Sequence, residues 1–177
     1  SYINRKFDIE KILEFKGIKQ GIENTNYLLK SKNKKFILTI FEKRVSKKEL
    51  PFFMNLMDKL NKSKINCPKP QTKKDGGYLI NLKNKAACIV SFLNGKDKKS
   101  LNFKNCYDIG KMIAEMHQST KKMNLTRKNS MGVRNLNPLL KSIRFKSKKF
   151  TNVEKFLKNN FKDIKTKWPK NLPNGVI

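Results

Sequence analysis

The feature that most constrains this chain is the run Ala86-Ala87-Cys88-Ile89-Val90-Ser91-Phe92-Leu93, its most apolar stretch. A run with so few polar side chains cannot alternate between a wet and a dry face, so it predicts a strand inside a sheet, covered on both faces. The segment Phe36-Ile37-Leu38-Thr39-Ile40-Phe41 is equally β-prone and supplies a partner. Phe15 to Ile18 and Tyr27-Leu28-Leu29 read as two more strands, separated by the turn-rich Gly21 to Asn26. Ser31-Lys32-Asn33-Lys34 then turns the chain into the Phe36 strand, so the first three strands predict an antiparallel meander. Asp75-Gly76-Gly77 introduces a further strand at Tyr78-Leu79-Ile80.

Helical spacing is scarce in this half. Phe52, Phe53, Leu56, Met57 and Leu60 form one stripe after Glu49-Leu50-Pro51, with Pro where a first turn tolerates it, and predict one long amphipathic helix. Ile9, Ile12 and Leu13 predict a short helix from Asp8 to Leu13, with Asp8 as its N-cap. Cys67-Pro68-Lys69-Pro70 breaks the pattern. After Asn94-Gly95 the period changes to that of a helix. Cys106, Ile109, Ile113, Met116 and His117 share a face of a helix from about Phe103 to Ser119, in which Gly110 would let a neighbour approach closely. Phe150, Val153, Phe156, Leu157, Phe161 and Ile164 mark another, ended by Trp168-Pro169, and weak helical patterning surrounds Leu139 to Phe145. The expected architecture is α+β: a sheet lobe over residues 1–93, then helices over 94–177.

The charge invites another reading. The chain has 42 Lys and Arg against 13 Asp and Glu, a net +29, which suits a nucleic-acid-binding module. Only five of those basic residues are Arg (Arg5, Arg44, Arg127, Arg134, Arg144), and Arg is the residue suited to bidentate phosphate and base contacts. The lysines run from end to end among abundant Asn and Ile, residues that share A/T-rich codons, so genome composition accounts for the trend. With no zinc finger, clear helix-turn-helix or aromatic-and-basic RNA motif, no nucleic-acid partner is expected. No stretch approaches the roughly 18 to 20 apolar residues of a membrane span, and Ser1 to Glu10 lacks a secretory apolar core; the expected location is the cytoplasm, with no membrane partner. Cys67, Cys88 and Cys106, about twenty residues apart with a single histidine, read as reduced thiols rather than a disulfide set or metal site.

Two lobes joined at one apolar strand is an arrangement that nucleotide kinases use. Gly21 to Asn26 offers a flexible Gly and small polar side chains between strands, fit either for covering phosphates with backbone N–H groups or for an ordinary hairpin turn. Thr39 holds the last place of a Val-Ala-Ile-Lys-like pattern, where a kinase keeps its Lys, or is simply a strand Thr. Glu49 can partner a basic group or complement the helix N-terminus. His117 reads as a buried, hydrogen-bonded structural residue, and the aspartates are too scattered for paired acid and base work.

Taken jointly, several segments resemble bacterial homoserine kinases of the aminoglycoside-phosphotransferase-like type. They are Phe15-Lys16-Gly17-Ile18, Gly21 to Tyr27, Phe36 to Val45, Leu50-Pro51-Phe52-Phe53, Cys67-Pro68-Lys69-Pro70, Ala86 to Gly95, Gly110 to His117, Arg127-Lys128-Asn129-Ser130 and Trp168 to Ile177. The resemblance implies a protein-kinase-like two-lobe fold, a five-stranded antiparallel amino-terminal lobe with one helix, and a helical second lobe. It implies ATP and Mg²⁺ as cofactors and transfer of the γ-phosphate to the hydroxyl of L-homoserine, a step towards threonine. Carried over residue by residue, Gly21, Asn24, Thr25 and Asn26 belong to the loop over the phosphates, and Ser91, Phe92 and Leu93 to the hinge that contacts adenine. Thr39 takes the place of the usual Lys and Glu49 that of the helix glutamate. A Thr has no positive charge, which leaves Mg²⁺ or a basic side chain such as Lys43 or Arg44 to neutralise phosphate.

The chain departs from the family in two places. A segment like Leu172 to Ile177 runs, in the family, directly into a His-x-Asp catalytic loop whose Asp orients the hydroxyl and whose Asn helps to hold magnesium. The expectation is therefore an amino-terminal portion, with its catalytic Asp beyond Ile177 and no phosphoryl transfer by these residues alone. Apolar faces such as Ile109, Ile113, Phe156 and Phe161 are then expected to be partly uncovered. Arg134-Asn135-Leu136-Asn137-Pro138 stands where the family tends to carry a Trp before its Pro-Leu. Kinases of the same superfamily acting on choline, hydroxylysine or aminoglycosides remain as alternatives for the acceptor.

Overall fold

The computed structural model describes residues 2–19, 21, 23–42, 45–130, 132–142, 150–172 and 175. In chain order the elements are α1 (Tyr2–Lys6), β1 (Glu14–Ile18), β2 (Asn24–Lys30), β3 (Lys35–Phe41), α2 (Leu50–Lys62), β4 (Leu79–Leu82), β5 (Lys85–Ser91), α3 (Phe103–Thr120), α4 (Val133–Ser142) and α5 (Thr151–Lys167). They fall into two compact units, Ser1–Thr126 with Gly175–Ile177, and Arg127–Asn174.

In the first unit the strands form one sheet in the order β1-β2-β3-β5-β4, every neighbouring pair antiparallel. The predicted meander is β1-β2-β3. The apolar run becomes β5, inserted between β3 and β4, and Ala86 to Val90 are all buried. Its two faces feed two cores. Ala87 and Ile89 pack with Leu29, Phe36, Leu38 and Ile80 against Ile3, Phe7 and Ile12 of the amino-terminal segment. Cys88 and Val90 turn the other way, onto Met54 of α2, with Ile37, Phe41, Phe53, Met57 and Leu79 around them. The helix sits there because it buries Leu50, Met54 and Leu60; of the stripe read from the sequence, Leu60 is buried and Phe52, Phe53, Leu56 and Met57 are half-buried, and Pro51 occupies the first turn as expected.

One predicted element is absent. Asp8 to Leu13 is not helical; the amino-terminal helix is α1, five residues long, ending before it. The reason is Asn4. Its Nδ2 donates to the carbonyls of Ile9 (3.2 Å) and Glu10 (3.0 Å), and its Oδ1 accepts from the Ile12 N–H (3.1 Å). Backbone groups that a helix would pair internally are thus taken by a side chain. The Glu10 carboxylate accepts from Ser31 Oγ (2.8 Å) and the Asn33 N–H (3.1 Å), which holds its pKa below the usual value, and Leu13 N–H donates to Lys30 (2.8 Å). Ile9 and Ile12 still reach the core from this extended path, while Leu13 is exposed.

Strands β4 and β5 are joined by Lys83 and Asn84, with φ of 46° and 66°. Two successive left-handed residues make the tight mirror-image turn whose twist suits a hairpin. Helix α3 starts at a reciprocal cap: Asn102 Oδ1 accepts from the Asn105 N–H (2.9 Å), and Asn105 Oδ1 accepts from the Asn102 N–H (3.4 Å). Its apolar residues Phe103, Tyr107, Ile109, Met112 and Ile113 are exposed, as expected for Ile109 and Ile113. Gly110 is not a contact point, since a Cβ there would meet no described atom within 4 Å. His117 is half-buried rather than buried, and its carbonyl accepts from Thr120 Oγ1 at 3.0 Å.

In the second unit α4 and α5 pack on each other. Helix α4 lies earlier than the patterning around Leu139 to Phe145 suggests, and residues 143–149 lie outside the described set. Helix α5 ends at Trp168 as expected; Phe156 is exposed and Phe161 half-buried. No helix of the described residues is long and apolar enough to cross a membrane.

Candidate functional site

Side chains alternate along a strand, so register decides which of the singled-out residues can act together. Asn26 lies directly opposite Thr39 across β2 and β3, and Thr39 lies opposite Cys88 across β3 and β5. Asn24, Asn26 and Thr39 therefore share the face of Ile37, Phe41 and Cys88, the one on which α2 packs. There Thr39 Oγ1 donates to Asn26 Oδ1 at 2.8 Å.

That bond orients the amide. With Oδ1 engaged as an acceptor, the Asn26 Nδ2, a donor only, is directed elsewhere. It lies beside Gly21, where an added Cβ would come within 3.4 Å of it. Gly21 also has φ +122°, a conformation that other residues rarely adopt, so glycine suits the position by its backbone conformation. Asn24 to Asn26 belong to β2, paired with Thr39 to Phe41, and not to the turn expected over Gly21 to Asn26; the fold brings the Gly21 backbone next to a strand amide, a donor set suited to phosphate oxygens.

Thr25 does not join them. It faces the opposite side of the sheet, where its hydroxyl donates to Glu42 Oε1 at 2.8 Å, and Lys85 pairs with the other carboxylate oxygen. Its side chain takes no part on the Asn26 side. Glu49 occupies the N-cap position of α2 without a side-chain cap bond, and its N–H donates to the Ser46 carbonyl at 2.9 Å. Lys43 and Arg44 lie outside the described residues.

At the far end of the sheet, Ser91 is the last residue of β5 and is tied twice to Lys69: its N–H donates to the Lys69 carbonyl and its Oγ accepts from the Lys69 N–H, both at 2.9 Å. Phe92 donates its N–H to the Lys35 carbonyl (3.1 Å), and the Lys35 ammonium stands 5.7 Å from its ring. Beyond it the chain leaves the sheet, and Leu93 is 41% exposed. These bonds hold the start of the connector rigidly at the rim of the sheet, where extended backbone can meet the edge of a planar base.

Burial pushes the Cys88 thiol up to about 12, so beside Thr39 it is a neutral packing group and not a nucleophile. Among the described residues, no three or more His, Cys, Asp or Glu are grouped to hold a metal ion.

An antiparallel sheet with one helix on the face that carries a glycine turn and a polar pair, and a connector leaving an interior strand, defines the sheet lobe of a kinase-like fold. The chain belongs to the phosphotransferase enzyme family, whose family model matches residues 14–177. It is 36% identical to the homoserine kinase of Paramagnetospirillum magneticum, covering 97% of this chain and 53% of that protein. To the homoserine kinase of Rhizobium etli it is 34% identical, covering 97% and 54%. The chain thus spans about half the length of the curated relatives it matches. Among solved structures it is similar to a spectinomycin phosphotransferase in complex with ADP and spectinomycin (TM-score 0.59, 14% identity, 93% of this chain and 53% of that one). It is also similar to a microcompartment-associated aminopropanol kinase (TM-score 0.61, 14% identity, 78% and 47%). The fold expected from the sequence is therefore the one found.

Glu42 and Lys85 were not singled out by the sequence. They come together only because β2, β3 and β5 pair in this register, and no local pattern marks a Glu just after a strand as a partner of Thr25.

Proposed function

We propose that this chain is the nucleotide-binding portion of a cytoplasmic homoserine kinase, which transfers the γ-phosphate of ATP to the hydroxyl of L-homoserine to give O-phospho-L-homoserine and ADP. The observation that carries the reading is identity of 36% to a homoserine kinase along 97% of this chain, on a fold shared with small-molecule kinases. In this reading residues 1–93 form the nucleotide lobe and residues 94–177 begin the helical lobe. The Gly21 backbone and the Asn26 side-chain amide donate to the phosphates, with Asn24 and Thr25 beside them at the start of β2, and Thr39 holds that amide in its donor orientation. Ser91 and Phe92 fix the connector so that the Leu93 backbone can meet the adenine. Glu49 stands at the start of the helix that supports this face.

In the transfer, the homoserine oxygen forms a bond to the γ-phosphorus while the bond from that phosphorus to the ADP oxygen breaks, and the hydroxyl proton leaves to a base. We assign that base, and the magnesium ligands, to the His-x-Asp-containing loop that the family resemblance places after Ile177.

The test has two parts. The coding frame is read beyond Ile177, where absence of a His-x-Asp-x-x-x-x-Asn-like loop within the next ten or so residues overturns the reading. The protein from the whole frame is then assayed for ATP turnover with homoserine, choline, hydroxylysine and an aminoglycoside. Homoserine is expected to give the highest kcat/KM; a higher value with another acceptor overturns the choice of substrate.

A further inference from the structure

The Thr25 hydroxyl points away from the candidate phosphate site, yet it too is held by a hydrogen bond. It donates to Glu42 Oε1 at 2.8 Å, and the second oxygen of Glu42 pairs with Lys85. The Glu42 side chain is 28% exposed, sheltered enough for the bond to be charge-assisted and specific in direction. Lys85 is the first residue of β5, directly after the Lys83-Asn84 turn. The same turn makes a second tie: Lys47 Nζ donates to the Asn84 carbonyl at 2.6 Å, two residues before Glu49 at the N-cap of α2. The turn and the first residue of β5 after it therefore grip both the segment that leads into α2 and Glu42, just after β3.

A surface ion pair alone contributes little to stability, so the value of this arrangement lies in geometry. Thr25 sits between Asn24 and Asn26. Anchoring its side chain on one face of β2 fixes the direction in which its two neighbours project on the other, because successive side chains of a strand alternate. We infer that Glu42, braced by Lys85 at the start of β5, is a positioning residue that anchors Thr25 and so holds Asn24 and Asn26 at the start of β2 in register for a nucleotide's phosphates. This rests on the nucleotide-binding reading above, and it adds a residue on the opposite face of the sheet that touches no substrate.

The test uses the protein from the whole coding frame, with amide hydrogen exchange measured without nucleotide and titration with a non-hydrolysable ATP analogue. In Glu42→Ala, exchange at the amides of Glu23 to Asn26 is expected to rise about 10-fold and the analogue to bind about 10-fold more weakly, the loss of one charge-assisted hydrogen bond. Amides of Leu38 and Ile89 in the core should keep their protection. Glu42→Gln retains an acceptor for Thr25 but not the charge for Lys85, and is expected to fall between; it also serves if the Ala variant does not fold. Wild-type exchange at Glu23 to Asn26 in both variants overturns the brace, whatever the nucleotide result. Faster exchange with unchanged affinity overturns its role in binding. A wild-type chain that binds no analogue overturns instead the reading on which the role rests, while exchange still decides the brace.

Discussion

In Thr39→Val a methyl group replaces the hydroxyl that donates to Asn26 Oδ1 at 2.8 Å. Two effects follow, of different size. A neutral hydrogen bond contributes about 0.5–1.5 kcal/mol net, and because both side chains are only half-buried, water can compensate Asn26 in part. Val also fits a strand facing Cys88 and Met54 slightly better than Thr, so the net loss of stability should be about 0.5 kcal/mol. For a unit of this size that is a fall in Tm of roughly 1–3 °C. The effect on nucleotide should be larger. Without the hydroxyl the Asn26 amide can turn over and present its oxygen towards a phosphate. A hydrogen bond to a charged group is worth about 1.5–3 kcal/mol, so affinity for an ATP analogue should fall about 10- to 100-fold. Asn26→Asp, which keeps an acceptor for Thr39 but places a carboxylate at the phosphates, should lose more. Calorimetric titration and a thermal melt on the same samples separate the two effects. A Thr39→Val chain with lowered Tm and unchanged Kd would refute the reasoning, since the pair would then be only a strut between strands.

Three other outcomes are expected. Gly21→Ala forces a Cβ onto a backbone at φ +122° and to 3.4 Å from Asn26 Nδ2; it should cost about 1–2 kcal/mol in denaturant titrations and weaken the analogue in parallel. Met54→Ala removes the 2%-exposed side chain by which α2 is keyed to β5, and should destabilise the first unit by about 2–4 kcal/mol, read from the shift in chemical denaturation midpoint. Cys88 has its thiol raised from 9.0 to about 12 in the folded chain, so its contribution to stability is complete below pH 9 and is lost as the pH rises towards 12. Against Cys88→Ala, the wild type should therefore lose up to about 1.4 kcal/mol per pH unit more across that window. Equal slopes in denaturation at pH 9, 10 and 11 would count against burial as the cause.

Much of the sheet lobe was legible because its strands announce themselves locally. The run from Ala86 to Leu93 carries no polar alternation, which leaves an interior strand as its only comfortable position, and Ala86 to Val90 are indeed buried. Leu50 to Lys62 has both a stripe and a Pro in its first turn, so local and tertiary preferences agree. Asp8 to Leu13 failed for the opposite reason. Its spacing of Ile9 and Ile12 is satisfied equally by an extended segment lying on a core, and Asn4 decides between them with three hydrogen bonds that no periodicity describes. Gly110 misled similarly, since a glycine permits close approach without supplying a neighbour.

The candidate site divides along the same line. Residue types at Gly21, Asn24, Thr25, Asn26 and Thr39 were visible as a cluster of small polar positions next to β-prone runs. Which of them cooperate was not, because the side on which a strand residue points relative to its neighbours depends on pairing register, and register is a property of two segments. Pairing puts Asn26 against Thr39, sends Thr25 to the other face, and there meets it with Glu42, just after β3, and Lys85 of β5. By itself, then, the sequence determined which segments are strands and helices, since apolar period and turn residues act over a few positions. The partners of each polar side chain were decided only by the assembled sheet, because hydrogen bonds between residues 13 to 43 positions apart leave no local trace in the chain that forms them.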